Sequence, residues 1–92
     1  MSSTSSVAVS RTVSIDDFDY RPGTVVVREG QTVRWTNNDT VPHTVTRDGA
    51  TGPSSTVLQP GQSYTYTFTT EGTYNYHCTL HPEMEGRVIV LD

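Results

Sequence analysis

The stretch EGTYNYHCTLHPEMEGRVIV, residues 71–90, holds the only cysteine of the chain between two segments that read as strands. In the first segment Tyr74, Tyr76 and Cys78 alternate with polar residues, so we expect their side chains on one face of a strand. The second segment is a dense apolar run, which is typical of a largely buried strand. Between the two, Cys78, His81 and Met84 follow one another at intervals of three. The stretch therefore predicts two strands whose connection carries a thiol, an imidazole and a thioether.

Turn-forming pairs such as Pro-Gly and Glu-Gly divide the rest of the chain into short segments with alternating polarity. In SYTYTFTT, Tyr64, Tyr66 and Phe68 share one face, and in TVRWTN, Val33 and Trp35 fall together. Short strands at this spacing, without helical segments, predict an all-β Greek-key sandwich of about eight strands. We predict strands near residues 7–9, 12–15, 24–28, 31–36, 43–47, 63–69, 72–77 and 87–91, and consider a further short one at 56–58 within the loop 48–61.

The composition limits the classes of function. The chain has 92 residues, of which 33% are hydrophobic and 17% are charged, and its net charge is -4. This length suits one modest core, so we predict a single domain over residues 1–92 with a flexible polar leader at 1–6. The six cationic residues are all arginine and are scattered along the chain, so a nucleic-acid partner is not expected.

The apolar runs are too short for a transmembrane helix, and we expect none. The beginning, MSSTSSVAVS, lacks the positive region and the long apolar region of a secretory signal peptide. We interpret it as a polar leader, or as the start of a chain trimmed from a longer precursor. A single cysteine excludes an internal disulfide, so Cys78 needs another explanation as a buried, reactive or metal-binding residue.

A histidine from a distant segment is predicted to reach the same end of the sandwich. The segment NNDTVPHTV puts His43 just beyond a predicted strand. If successive strands alternate in direction, the loop with His43 and the loop with Cys78 lie at one pole. His77 has the opposite strand parity to Cys78, so we expect it to face solvent or another element. His43, Cys78, His81 and Met84 are then expected to converge.

A thiolate, two imidazoles and a weakly bound thioether form the ligand set of blue-copper electron-transfer sites. Thiolate and thioether favour Cu(I), whereas imidazole suits both oxidation states, so such a set allows a change of oxidation state with little rearrangement. We therefore predict one type 1 copper ion bound by His43, Cys78, His81 and Met84. Structural zinc sites commonly bring more cysteine or histidine and rarely need a methionine.

Other interpretations stay open at this point. A lone cysteine or methionine is usually part of the core, and a loop histidine is usually solvated. The same four ligands would also serve a copper-binding trafficking or storage protein. Cys78 could act as an enzyme's nucleophile with His81 or His77 as base, although the chain offers no obvious oxyanion loop. A metal-free sandwich could act as an adhesion module. We predict an electron carrier and not an enzyme.

The pattern of these residues resembles the cupredoxins, and among them the amicyanins, with plastocyanins and pseudoazurins as relatives. The similarity runs from about residue 12 to residue 91, through FDYRPGTVVVREGQTVRWTNNDTVPHTV and EGTYNYHCTLHPEMEGRVIV. It implies a β-sandwich that carries one electron by cycling copper between Cu(II) and Cu(I). It also implies that His43, Cys78, His81 and Met84 occupy the ligand positions. The two-residue gaps on both sides of His81 match the short loop of amicyanins.

Three positions depart from the family pattern. Leu80 replaces the usual proline before the second histidine and offers an amide hydrogen to the Cys78 sulfur. Such a bond would predict a higher reduction potential than in a proline-bearing relative. Thr44 replaces an asparagine that helps to tie the two copper loops together. Glu83 replaces an aromatic residue, which brings acid to a docking surface that is usually apolar.

The resemblance further implies that electrons pass through the edge of His81, inside an apolar rim formed by Pro42, Leu80 and Pro82. We expect transient encounters with a redox protein donor and acceptor, and Glu83 favours a basic partner. We also expect a monomer. The resemblance suggests a periplasmic or other extracytoplasmic location.

Overall fold

The computed structural model describes residues 8–92, which form eight strands in two four-stranded sheets. The first sheet has the order β2-β1-β4-β6, and the second has the order β3-β8-β7-β5. The predicted all-β Greek-key sandwich is confirmed, whereas the leader predicted for residues 1–6 lies outside the described residues. The strands are β1 (Val9–Asp16), β2 (Asp19–Arg21), β3 (Thr24–Arg28), β4 (Gln31–Asn37), β5 (Thr46–Arg47), β6 (Ser63–Phe68), β7 (Gly72–His77) and β8 (Glu85–Leu91).

Both sheets mix parallel and antiparallel pairs. β1 runs parallel to β4, and β3 runs parallel to β8, while the other neighbours are antiparallel. The pairing of β7 with β8 extends from Gly72 opposite Val90 to His77 opposite Glu85. The chain therefore leaves β7 and re-enters β8 at neighbouring points, and residues 78–84 form a short loop at that end of the sheet. Nothing in residues 8–92 forms a helix with the length and hydropathy needed to cross a membrane.

Alternation along the strands places the apolar side chains between the two sheets. In β3 and β8 every second residue is buried, so each strand has only one face on the core. The largely buried strand predicted from the apolar run of β8 was therefore wrong. Trp35 of β4 meets Tyr76 of β7 edge to face, with ring centroids 5.5 Å apart, and so joins the two sheets. The buried core consists of Val13, Ile15, Tyr20, Val25, Val27, Val33, Trp35, Val45, Leu58, Phe68, Tyr76, Cys78, Met84, Val88 and Val90.

The structure differs from the predicted strands in three places. The strand predicted at 12–15 and part of that at 7–9 form a single strand, Val9–Asp16, whose register shifts between Val9 and Arg11. Strand β2 was not predicted because it has only three residues. The strand predicted at 43–47 shrinks to Thr46–Arg47. Two isolated bridges join this segment to the loop 48–61, His43 with Leu58 and Thr46 with Ser54. The further strand considered at 56–58 is not formed.

Gly86 lets the start of β8 pass directly over the ring of Tyr76. The two residues are register partners, and a Cβ atom built on Gly86 would overlap the ring atoms of Tyr76. The Tyr76 ring has no room to move, because it is fully buried between Trp35 and Tyr20. The glycine therefore fixes how closely β8 approaches the core just after Met84.

We expect Gly86→Ala to lower the free energy of unfolding by about 1–3 kcal/mol, since the added methyl group overpacks a filled core. Urea unfolding of the copper-free protein would measure the change. Gly49→Ala is the matched control, because a Cβ atom there meets nothing within 4 Å. Equal stability of the two variants would show that β8 can shift away from Tyr76.

Candidate metal centre

Two loops meet at one end of the sandwich, and each contributes a buried candidate ligand. The loop after β4 carries His43, and the loop between β7 and β8 carries Cys78; both residues are completely buried. Nδ1 of His43 lies 3.7 Å from Sγ of Cys78. Met84 is also buried, and its carbonyl oxygen accepts a hydrogen bond from the Cys78 amide at 3.2 Å. The fold therefore positions His43, Cys78 and Met84 as candidate metal ligands.

The separation of Nδ1 and Sγ suits a shared metal ion. Metal bonds of about 2.3 Å to a thiolate and about 2.0 Å to an imidazole, at an angle of about 120°, put the two ligand atoms about 3.7 Å apart. The observed distance is also 3.7 Å. Thiolate, imidazole and thioether together are the donors that copper prefers among common metals. The residues present therefore fit a copper ion.

His81 lies beside this pair, but its ring nitrogens do not complete the set. Its ring centroid is 4.9 Å from that of His43, with an angle of 55° between the rings. Among residues 8–92, one set of three His, Cys, Asp or Glu side chains has all its ligand atoms within 4.8 Å of one another, and it is the exposed set of Glu29, Glu71 and Asp92. The ring nitrogens of His81 therefore lie too far away to form such a set with His43 and Cys78. The backbone thus brings His81 to the site, and its imidazole must turn to join His43 and Cys78.

His77 lies on the opposite side of β7, as its strand parity predicts. Its Nδ1 atom contacts the carboxylate of Asp48, and its side chain is 30% exposed. It is paired with Thr46 of β5 and takes no part in the cluster of His43 and Cys78. His77 is therefore close to the site in sequence but does not face it, so a variant at this position can serve as a control.

Asp39 holds the imidazole of His43 in one orientation. Its Oδ2 atom lies 2.9 Å from Nε2 of His43 and accepts a hydrogen bond of 3.0 Å from the Phe18 amide. The Phe18 amide and then His43 lower the pKa of the Asp39 carboxyl below its ordinary value. With Nε2 donating its proton to this carboxylate, Nδ1 presents its lone pair on the side of Cys78.

Asn37 builds the turn that leads to His43. Its side chain is completely buried, and Nδ2 donates to the carbonyl oxygens of Val41, at 2.9 Å, and Leu58, at 2.8 Å. Oδ1 accepts from the Asp39 amide at 2.9 Å. A buried amide with all these partners satisfied stabilises one loop conformation, because each alternative leaves a polar group unpaired. The position of His43 is therefore set by the turn before it.

Thr44 joins the two loops. Its amide donates to Sγ of Cys78 at 3.3 Å, and its hydroxyl accepts from the Thr79 amide at 2.9 Å. Its carbonyl oxygen accepts a hydrogen bond of 2.6 Å from the hydroxyl of Tyr20. One residue thereby links the sulfur, the loop after β7 and strand β2.

Comparison with known proteins identifies the family. The profile of the copper-binding proteins of the plastocyanin/azurin family matches residues 7–91. The chain belongs to this family. It is 39% identical over 82 residues to an amicyanin of Paracoccus denitrificans, an alignment that covers 85% of this chain and 63% of that protein. It is 36% identical over 83 residues to the chloroplastic plastocyanin of Tetradesmus obliquus, covering 77% of this chain and 57% of that one.

Solved structures agree with the sequences. The purple cupredoxin of Nitrosopumilus maritimus superimposes with a TM-score of 0.81 at 30% identity, covering 86% of this chain and 97% of that chain. The resemblance to cupredoxins, and to amicyanins among them, is confirmed. The chain spans only 63% and 62% of the length of the amicyanins from Paracoccus denitrificans and Paracoccus versutus.

Two of this cupredoxin's departures from the family pattern concern the loops around the sulfur. The hydroxyl of Thr44 does tie the loops together, through its bond from Thr79. Within residues 8–92 the hydrogen bond to the Cys78 sulfur comes from the Thr44 amide, and none comes from the Leu80 amide. The higher reduction potential expected from Leu80 stays a prediction.

The residues predicted to form a docking surface around His81 differ in exposure. Leu80 is 46% exposed, Pro82 and Glu83 are exposed, and Pro42 is half-buried. His81 is itself half-buried among them.

Sequence reasoning missed the contribution of the turn between β1 and β2. Phe18 lies against both histidine rings, and Asp39 bonds its amide. Tyr20, just beyond the turn, holds the carbonyl of Thr44. Asp39, four residues before His43, was the one available signal, because ligand histidines commonly donate their second ring nitrogen to a carboxylate. The contacts of Phe18 and Tyr20 depend on the packing of two sheets and leave no mark in the local sequence.

We expect Thr44→Val to lower the free energy of unfolding of the copper-free protein by about 1 kcal/mol, because the Thr79 amide loses its acceptor. Hydrogen exchange at Thr79, followed by NMR, should become faster. Thr44→Ser keeps the hydroxyl and should keep the slow exchange. Fast exchange in the serine variant, or slow exchange in the valine variant, would contradict the tie between the loops.

We expect Asp39→Asn to destabilise the copper-free protein at neutral pH but not in strong acid. The pKa of Asp39 is lowered in the folded state from its ordinary value of 3.8. Its carboxylate therefore stabilises the folded state at pH values above 3.8. That contribution disappears as the pH falls through the lowered folded-state pKa. Urea unfolding of both proteins at a series of pH values would measure the gap, and a gap independent of pH would count against this role.

Proposed function

We propose that this chain is an electron carrier that binds one type 1 copper ion through His43, Cys78, His81 and Met84. When bound, copper supplies the redox chemistry by alternating between Cu(II) and Cu(I), with one electron gained or lost. The observation that carries the proposal is the buried pair of Nδ1 and Sγ at 3.7 Å, in a chain of a copper-binding family. The thioether of Met84, which is also buried, would supply the weak donor of the proposed set.

The residues around this pair support redox chemistry more than tight structural binding. The burial of Cys78 and His43 excludes water from the donors. The Thr44 amide stabilises negative charge on the sulfur, and the Asp39 carboxylate fixes the imidazole. Both restraints lie on loops anchored to sheets, so the donors are held before and after electron transfer with little rearrangement.

His81 is the proposed path for the electron. It is the candidate ligand nearest the surface, because His43, Cys78 and Met84 are buried whereas His81 is half-buried. The exposed Leu80 beside it offers a small apolar contact to a partner. The exposed acid of Glu83 steers a basic redox protein towards this surface. Such an encounter is expected to be small and short-lived.

The first experiment is a titration of the purified copper-free protein with Cu(II), followed by visible absorption and EPR. We expect one equivalent to produce an intense thiolate-to-copper band and a narrow hyperfine splitting. Cys78→Ser should lose both signals, because the band needs the thiolate. A pale product, or a band that does not depend on Cys78, would overturn the proposal.

The histidines provide matched variants for the same titration. His81→Gln should change the absorption and EPR spectra, whereas His77→Gln should leave them as in the unmodified protein, because His77 faces Asp48 on the other side of β7. Rapid, reversible electron exchange of the loaded protein with small redox mediators is expected for a carrier. Slow exchange with normal spectra would favour the copper storage or trafficking alternative.

A further inference from the structure

The turn between β1 and β2 contains a side chain that its backbone does not favour. Asp16 pairs with Asp19, so the two residues between them form a tight hairpin turn. Asp17 and Phe18 both have positive φ angles, of 52° and 56°, which is the pattern of a type I′ turn. Glycine is strongly preferred at the second of these positions, because a Cβ atom there is crowded by the backbone. The geometry of the turn does not explain a phenylalanine at this position, and burial does not either, since Phe18 is half exposed.

The ring of Phe18 lies edge to face against both histidines of the site. Its centroid is 4.8 Å from that of His81, with an angle of 78°, and 5.6 Å from that of His43, with an angle of 83°. These distances and angles are those of favourable aromatic pairs. The other side of the Phe18 ring is open, since the residue is 50% exposed. The two imidazole rings are the aromatic partners of Phe18 within residues 8–92.

The turn is anchored to the metal centre through a single carboxylate. Oδ2 of Asp39 accepts the Phe18 amide at 3.0 Å and contacts Nε2 of His43 at 2.9 Å. The backbone at Phe18 consequently cannot move without disturbing the carboxylate that orients His43. The ring of Phe18 is held over the site by the same group that orients the buried histidine.

The imidazole of His81 keeps rotational freedom that its backbone lacks. Its backbone is fixed, because its amide donates to the Cys78 carbonyl oxygen at 3.2 Å and its carbonyl oxygen accepts from the Met84 amide at 2.9 Å. Rotation about the side-chain bonds remains. Two rings contact this imidazole, those of His43 and Phe18. The ring of His43 is held by Asp39. Phe18 is the contact that comes from outside the two loops of His43 and Cys78.

We propose that Phe18 is a positioning residue for His81, whose ring contact limits the rotation of the imidazole and so slows its turn both towards copper and away from it. This inference rests on the copper-carrier function proposed above. The β1–β2 turn then acts as a third loop of the metal centre, beside the loops of His43 and Cys78. Asp39 holds that third loop in place.

Phe18→Gly is the decisive variant, because it gives the turn its preferred residue. The free energy of unfolding of the copper-free protein should stay the same or rise. NMR relaxation of the His81 ring in the same protein should show wider motion. After loading, release of Cu(I) to a chelator should become about two- to tenfold faster, the range that an aromatic contact supplies.

Two further variants separate a positioning role from simple packing. Phe18→Tyr keeps the ring and should keep the slow copper release and the restricted motion of His81. Val26→Ala removes a side chain of similar exposure, 44%, from strand β3 and should change neither.

Unchanged ring motion and copper release in Phe18→Gly would overturn the inference, as would a loss of stability that accounts for the faster release. If the unmodified protein gave no band dependent on Cys78, the copper proposal would fall. The relaxation of His81 in the copper-free protein would then still decide whether Phe18 restrains it.

Discussion

The site depends on two hydrogen bonds made by Thr44. Its amide donates to the Cys78 sulfur, and its hydroxyl accepts from the Thr79 amide. His43 and Cys78 lie far apart in sequence, His43 in the connection from β4 of the first sheet to β5 of the second and Cys78 in the β7–β8 loop of the second sheet. Nothing local therefore holds them at contact distance. Thr44 follows His43 directly and therefore fixes its backbone against the second loop. The hydroxyl of Tyr20 completes this junction from the outer strand of the first sheet.

The hydrogen bonds to Cys78 and His43 would have opposite effects on the reduction potential of a bound metal. The amide that reaches the Cys78 sulfur stabilises its negative charge and weakens its donation, which favours a reduced metal. The Asp39 carboxylate at the far nitrogen of His43 makes its near nitrogen more basic, which favours an oxidised metal. In a copper-bound site the balance between a neutral donor on one ligand and a charged acceptor on the other would help to set the potential. These contacts lie in loops, where they can vary without altering the sheets.

The sequence predicted most of the architecture but only part of the site. Alternation in β6, the apolar run of β8 and the turns between strands are local signals, and the all-β sandwich follows from them. The loop of Cys78 is also local, because strand parity turns Cys78 inward and His77 outward. Three features depend on contacts between distant segments and were not predicted. They are the short strand β2, the shortening of the strand predicted at 43–47, and the hydrogen bond that the Thr44 amide donates to the Cys78 sulfur. Phe18 even contradicts the local preference of its turn, so only the packed structure explains it.

The burial of Cys78 also bears on the chemical lifetime of the protein. The chain has no second cysteine, and its thiol is completely enclosed by the two loops. Disulfide exchange requires that another sulfur approach along the axis of attack, so two copies cannot become cross-linked while the loops stay closed. In oxidising surroundings the copper-free form is then protected from covalent dimers by packing alone. The closed junction at Thr44 keeps the thiol available until a metal arrives.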